Sequence, residues 1–397
     1  MKLHPKNRII LFIMALLLFV TFLTCLFRQP DAYSMTERRK LAQFPKFSVN
    51  SFLSGEFMKE FETYTLDQFP LRDSFRALKA MTSFYIFHQA DCNGIYLAKG
   101  YAAQLEYPLN EEMLLNASDK FSDIYETYLK DTDAKLYFSI VPDKNYFLAA
   151  PNGYLSMDYD YLISTMRDAV PYMEYIDLLP YLSIEDYYKT DTHWRQECIL
   201  DVAEALLLAM NPMNQSISNL DNSNDINVTN PIVNAQSPVS PVISQEYTVN
   251  TLATPFYGVY YGHSALPLSA DTLYYLTSDA MSQYIVTSYS SGKPIRKPLY
   301  DMEKAYGKDA YEMFLSGSEA LLTIENPNAA TTKELVVFRD SFASSLAPLL
   351  ASDYAKTTLI DIRYMQSSAI NQFVSFKDQD VLFLYSTLLL NNSTSLR

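Results

Sequence analysis

The sequence predicts an α/β fold built on a mainly parallel sheet and preceded by one membrane-spanning helix. Three observations lead there: apolar strands alternate with helical stretches from about Asn110 onward, a β-α-β-α-β run closes the chain, and an unbroken apolar stretch lies near the N-terminus. Strands separated by helices favour parallel pairing, because a crossover must return the chain to the same edge of the sheet.

Lys2, Lys6 and Arg8 precede an uncharged apolar run from Ile9 to Phe27. At about 1.5 Å per residue this run nearly matches a hydrocarbon core of about 30 Å. A cleavable signal peptide has a shorter apolar region and a small-residue cleavage site, which Leu26-Phe27-Arg28 does not supply. Residues 9–27 therefore read as an uncleaved anchor. The preceding positive charges put residues 1–8 in the cytoplasm and everything after about Arg28 outside, which predicts a single-pass cell-membrane protein. Cys25 falls in the span. Cys92 and Cys198 remain outside, equally compatible with one bridge and with two free thiols.

Residues 28–90 read as a stalk and a helical segment. Asp31 to Asn50 is polar and punctuated by proline, whereas Phe57, Phe61 and Tyr64, then Phe75, Leu78 and Met81, recur at helical spacings, which predicts two helices joined at Pro70. Gly94 to Leu109 reads as a short hairpin. Residues 91–397 form the α/β domain. A polar helix runs to Lys130, followed by strand Lys135 to Val141, a helix around Tyr161 to Ala169, strand Tyr175 to Leu178 and a long helix Arg195 to Met210. Residues 211–245, rich in Asn, Ser and Pro, read as a polar insertion. Phe256 to Tyr261 and Thr272 to Leu276 suggest two more strands. The chain closes with strand Glu334 to Phe338, helix Phe342 to Ala351, strand Thr358 to Ile362, helix Ser367 to Phe376 and strand Asp380 to Tyr385.

A net charge of -14 repels phosphate backbones, so no nucleic-acid partner is expected. The 32 tyrosines and 23 phenylalanines suit sugar rings and ordinary cores alike, with the core as the default. No GxGxxG, P-loop or paired CxxC occurs, and neither a cofactor nor a metal is expected.

Beyond the span the histidines are His88, His193 and His263. His193 lies in Lys189-Thr190-Asp191-Thr192-His193-Trp194, where extended spacing would put Asp191 and His193 on one side, the carboxylate orienting the imidazole. The structural alternative is equal: Asp191 or Thr192 caps the following helix and Trp194 packs beneath it. In Val336-Val337-Phe338-Arg339-Asp340-Ser341-Phe342 a β-branched strand runs into a serine at a helix start, the carboxyl edge where α/β ligand sites form. Backbone N–H groups and the helix dipole there favour an oxyanion. Taken alone, a simple N-cap accounts for Asp340 or Ser341 better than catalysis does.

Together these segments resemble the DHHW protein family and the related alginate O-acetyltransferase proteins AlgX and AlgJ, of the SGNH-hydrolase-like superfamily. Glu37-Arg38-Arg39-Lys40-Leu41-Ala42-Gln43-Phe44-Pro45 and Asp67-Gln68-Phe69-Pro70-Leu71-Arg72-Asp73 look like the family's entry segments. Gly94-Ile95-Tyr96, Val141-Pro142-Asp143-Lys144 and Phe256-Tyr257-Gly258 follow in the family's order, then Asp361-Ile362-Arg363-Tyr364 and Asp380-Val381-Leu382-Phe383. The resemblance implies an SGNH-like three-layer sandwich with Ser341 as nucleophile, His193 as base and Asp191 as its partner. Thr192 stands where the family's eponymous motif has its first histidine. The second oxyanion-hole donor has no recognisable motif.

The resemblance further implies a cell-envelope polysaccharide O-acetyltransferase or acetylesterase working through an acyl-serine. An extracellular or cell-wall polysaccharide is the expected partner, and a membrane protein that delivers acyl groups is another. The rival reading is a non-catalytic glycan-binding or assembly protein that keeps the fold. Trp194, Lys144, Arg339, His263 and Tyr257 are candidate substrate-groove residues. For Lys144 and Arg339 the default is ion pairing, for His263 an exposed loop position, and His88 reads as a surface or capping residue.

Overall fold

The computed structural model describes residues 4–211 and 246–397, so the expected polar insertion lies, apart from Asn211, outside the described residues. The chain forms two compact units. The first holds the residues up to Ile95 together with Val259–Leu268; the second holds Tyr96–Gly258 and Ser269–Arg397.

In the first unit, helix α1 spans Pro5–Phe27 and is long and apolar enough to cross a membrane. The stalk folds back as a short ladder of Tyr33–Ser34 with Arg39–Lys40. Two main helices follow, α2 (Glu56–Asp67) and α3 (Arg72–Met81), with the break at Phe69-Pro70 as the sequence predicts. Charge holds this corner together. Asp67 accepts two hydrogen bonds from Arg39, at 2.8 and 2.5 Å, and one from the Ala42 amide at 2.8 Å. Glu37 pairs with Arg72 and with Arg76, the latter at 3.3 Å. Hydrogen bonding from Arg39 holds the Asp67 carboxyl below its ordinary range. Val259–Leu268 joins this unit because Arg76 donates to the Gly262 carbonyl at 2.9 Å and Asn93 to the His263 carbonyl at 2.8 Å. Cys92 and Cys198 are both free thiols.

The second unit is the α/β domain. Its eight-stranded sheet comprises β1 (Lys135–Val141), β2 (Glu174–Tyr175), β3 (Ile285–Ser288), β4 (Ile295–Lys297), β5 (Leu321–Glu325), β6 (Glu334–Arg339), β7 (Lys356–Ile360) and β8 (Asp380–Ser386), in the order β4-β3-β5-β7-β6-β8-β1-β2. The five strands β7, β6, β8, β1 and β2 run parallel, and β5, β3 and β4 add an antiparallel edge. Alternation along the strands feeds two cores. Leu335, Val337, Leu382 and Leu384 face a layer containing α6 (Leu200–Met210) and α7 (Ala343–Leu350). Val336, Phe338, Val381 and Phe383 face the opposite layer, with α4 (Glu111–Ile124) and α5 (Tyr159–Ala169). Buried on both faces, these strands read as continuous apolar runs. The result is the three-layer sandwich that the sequence predicts.

Several elements differ from expectation. Phe256 to Tyr261 is not a strand: Phe256 makes one bridge, to Asp271, and packs edge-on against Tyr188, while Val259–Ser264 turns helical. Tertiary burial overrides the β-propensity of this aromatic run. The expected strand Tyr175 to Leu178 shrinks to Glu174–Tyr175, and the helix Ser367 to Phe376 is a 3-10 stretch over Ser367–Gln372. Strand Tyr274–Thr277 pairs with Thr248–Thr251 in a separate two-stranded ladder. The antiparallel edge β3 to β5 has no counterpart in the sequence reading.

Phe338 stacks on Phe383 with ring centroids 4.4 Å apart and is fully buried. Phe338→Ala is expected to cost about 3–5 kcal/mol, read as a fall in denaturation midpoint.

Candidate active site

Ser341 owes its place to β6. The strand ends at Arg339, and Asp340 then turns the chain: its carboxylate accepts from the Phe342 amide at 3.0 Å and from the Ser386 amide, at the end of neighbouring β8, at 2.8 Å. Ser341 follows at the carboxyl edge of the parallel strands, just before α7. The N-cap residue of α7 is Phe342, without a side-chain cap bond. Capping thus does not occupy the Ser341 hydroxyl.

His193 comes from a tight turn. Tyr187 and Trp194 bridge its two arms, and the Tyr188 amide donates to the His193 carbonyl at 3.1 Å. Asp191 therefore meets His193 across a bend instead of along an extended segment. Its Oδ1 accepts from the His193 backbone amide at 3.1 Å and lies 2.6 Å from Nδ1. Nε2 lies 2.8 Å from Ser341 Oγ. Neither Asp191 nor Thr192 caps the following helix, since α6 starts only at Leu200 with Ile199 as its N-cap. The three residues form one hydrogen-bonded chain from buried carboxylate through imidazole to hydroxyl. With Nδ1–H facing Asp191, Nε2 is the acceptor for the serine proton.

The turn is held from outside its own sequence. Asp271 accepts from the amides of Lys189 and Thr190, each at 2.8 Å, and from Thr190 Oγ1 at 2.6 Å. Thr190 Oγ1 in turn accepts from the Gly258 amide at 2.8 Å. A Cβ on Gly258 would lie 2.3 Å from Asp191 Cα and Cβ, so only glycine lets that segment pass behind the carboxylate. The His193 ring stacks on Tyr311, centroids 3.8 Å apart and planes 7° apart, and the Tyr311 hydroxyl shares a 2.9 Å hydrogen bond with Ser345 on α7. Gly258 lies in a segment legible as a motif. Asp271 and Tyr311 carry no local signal, because each acts on a partner some eighty or more residues away.

The other candidates are placed differently. Trp194 is fully buried; its Nε1 donates to the Phe342 carbonyl and to Ser345 Oγ, each at 3.0 Å, so it braces α7 instead of touching a ligand. Arg339 is also buried, donating to Ser344 Oγ at 2.9 Å and to the carbonyls of Asp340 and Glu319 at 3.3 Å. A groove-cation role is corrected in both its geometry and its exposure. Lys144 is buried too, with Nζ donating to the carbonyls of Tyr188 at 2.9 Å and Lys189 at 3.2 Å, so it ties β1 to the turn carrying Asp191. Neighbouring Asp143 accepts from Thr387 Oγ1 at 2.8 Å and from Tyr159 at 3.0 Å. Tyr257 is exposed. His263 lies in the other unit, as does His88. Among the described residues no group of three or more His, Cys, Asp or Glu is arranged to hold a metal.

The matches to known proteins agree with this architecture. Residues 37–103 match the model of the DHHW protein family. That stretch contains the Glu37, Arg39, Asp67 and Arg72 ion-pair corner. A DHHW family protein from Eubacterium siraeum is similar in structure, with a TM-score of 0.57 and 18% identity over 76% of this chain and 94% of that one. PatB1 of Bacillus cereus, solved with a sulfonyl adduct, gives 0.54 and 18% over 75% and 95%. The O-acetyltransferase domain of Pseudomonas putida AlgJ also matches, at 0.41 and 13% over 75% and 92%. No curated protein matches in sequence. The likeness to the first two is one of fold.

Two predictions follow from the supports of the turn. Gly258→Ala must displace Asp191, and because a shift near 1 Å at a reacting group costs about 10²-fold, turnover of an ester substrate should fall at least that much while every ionisable group remains. Burial lowers the Lys144 ammonium to about 7, against the opposing charges of Asp191, Asp271 and Asp143. Between about pH 7 and the ordinary lysine value of about 10.4, the unfolded chain holds a proton that the folded one does not, so stability rises with pH across that window. Lys144→Met should flatten the rise between pH 7 and pH 9 in melting temperature.

Proposed function

We propose that this chain is a membrane-anchored, extracytoplasmic Ser-His-Asp enzyme that transfers or hydrolyses acyl groups on a cell-envelope polysaccharide. One observation carries the reading: Ser341 Oγ, His193 and Asp191 stand in a continuous hydrogen-bonded chain at the carboxyl edge of a parallel sheet. The acetyl group and the polysaccharide come from the motif resemblance, and the outside location from α1 read as an uncleaved helix with positive charges before it.

In the proposed reaction Ser341 Oγ attacks the acyl carbonyl as its proton passes to His193 Nε2, and Asp191 stabilises the resulting imidazolium. The tetrahedral intermediate collapses to acyl-Ser341, and the leaving group takes the proton from His193. A sugar hydroxyl or water then attacks the acyl-serine, giving its proton to His193, which returns it to Ser341. The amide of Ser341 and those opening α7 supply the positive field for the oxyanion.

The test uses the full chain in detergent with a chromogenic acetyl ester. Ser341→Ala should lower turnover by about 10⁴-fold or more, since a triad acts as a unit; equal rates would remove the assignment. A sulfonyl fluoride should modify Ser341 and no other serine, read by peptide mass. Oligosaccharide acceptors then separate transfer, seen as an acetyl mass gain, from hydrolysis.

A further inference from the structure

Helix α3 is amphipathic and leaves its apolar face exposed. In a water-soluble protein the apolar stripe of such a helix is buried and its charged face is exposed. Here Phe75 and Leu78, one helical face by their spacing, are 53% and 55% exposed, and Leu71, just before the helix, is 71% exposed. Of its charged residues Arg72 and Arg76 point into the ion-pair corner, their side chains only 17% and 19% exposed against Glu37 at 13%, while Asp73 and Lys79 stay exposed. The apolar face continues past the helix into Ile86 and Phe87, exposed at 67% and 70%. Leu71 sets up this orientation with a left-handed φ of 57°, which a non-glycine residue adopts at a cost. An exposed contiguous apolar patch marks contact with another apolar phase.

The position of the corner names that phase. Gln68, at the bend between α2 and α3, exchanges two hydrogen bonds with the backbone of Asp31, accepting from its amide at 2.9 Å and donating to its carbonyl at 2.8 Å. Asp31 is four residues beyond the end of α1, within about 14 Å of it at the reach of an extended chain. A cleft of about 720 Å³ has Leu17, Val20 and Thr24 of α1 on one side and Phe69, Pro70 and Leu71 on the other. The start of α3 therefore flanks the outer half of α1.

We propose that α3 is an interfacial helix: with α1 in the bilayer, the Leu71, Phe75 and Leu78 face lies in the acyl–headgroup boundary of the outer leaflet. The ion pairs of Glu37 and Asp67 hold it there from the water side. The apolar face sinks about 5–10 Å into the boundary, as interfacial helices do. The proposal rests on the reading of α1 as an uncleaved anchor.

The full chain carrying Cys25→Ser, Cys92→Ala and Cys198→Ala provides the test, with Leu17→Cys, Phe75→Cys or Leu78→Cys added singly. Each is labelled with an environment-sensitive fluorophore, checked for an unchanged melting temperature and reconstituted in phosphatidylcholine vesicles. Spin-labelled lipid should remove about half of the emission at positions 75 and 78, as at a shallow membrane depth, while aqueous iodide removes little. Quenching by iodide and not by lipid at 75 and 78, with position 17 still lipid-quenched, would overturn the proposal and leave the anchor intact. Protection from both quenchers would overturn it in favour of a second copy as the cover. Loss of lipid quenching at position 17 as well would remove the anchor and the proposal together.

Discussion

The carboxylate of Asp340 is the constraint on which the site depends. By accepting from amides on two elements, one opening α7 and one ending β8, it fixes where β6 stops and how the chain leaves the sheet. A buried carboxylate without those donors would be costly, so the turn has one satisfactory arrangement. Ser341 is then presented outward by backbone geometry alone. Trp194 and Arg339 reinforce the same junction from beneath, through Ser345, Ser344 and the Phe342 carbonyl.

The turn carrying Asp191 and His193 depends on a different set of supports. Three groups converge on it: buried Lys144 beyond β1, half-buried Asp271 from the Phe256 bridge and the bare backbone of Gly258. A nucleophile fixed by one set of bonds and a base fixed by another meet within 2.8 Å only if both sets are correct. Much of the α/β unit near the sheet edge is therefore supporting structure for two side chains.

Strands buried on both faces were readable because their apolar runs are unbroken: Lys135 to Val141 and Glu334 to Phe338 lie where the sequence puts them. The break at Pro70 was readable because proline cannot continue a helix. In Phe256 to Tyr261 the alternation misleads because Phe256 answers to Tyr188 and the helical turn that follows to Arg76, neither of them local. For the site, the types and order of Ser341, His193 and Asp191 were legible in two short motifs. The bend that brings Asp191 beneath His193 was not, since it is imposed by Asp271 and Gly258. Trp194, Lys144 and Arg339 sit inside conspicuous motifs that suggest ligand contacts, yet all three are braces. A residue beside a reacting group in sequence is as easily its support as its neighbour in the groove.

The stacking of His193 on Tyr311 has a kinetic consequence. With the ring planes 7° apart and Tyr311 tied to Ser345, the imidazole is held in one plane between Tyr311 and its two hydrogen-bond partners. A single Nε2 direction then serves both halves of the proposed reaction. The group that leaves the acyl donor and the group that later accepts the acyl chain must occupy the same volume, one after the other. Under the proposed function this geometry predicts double displacement with ping-pong order, in which a high concentration of acceptor competes with the donor for the free enzyme.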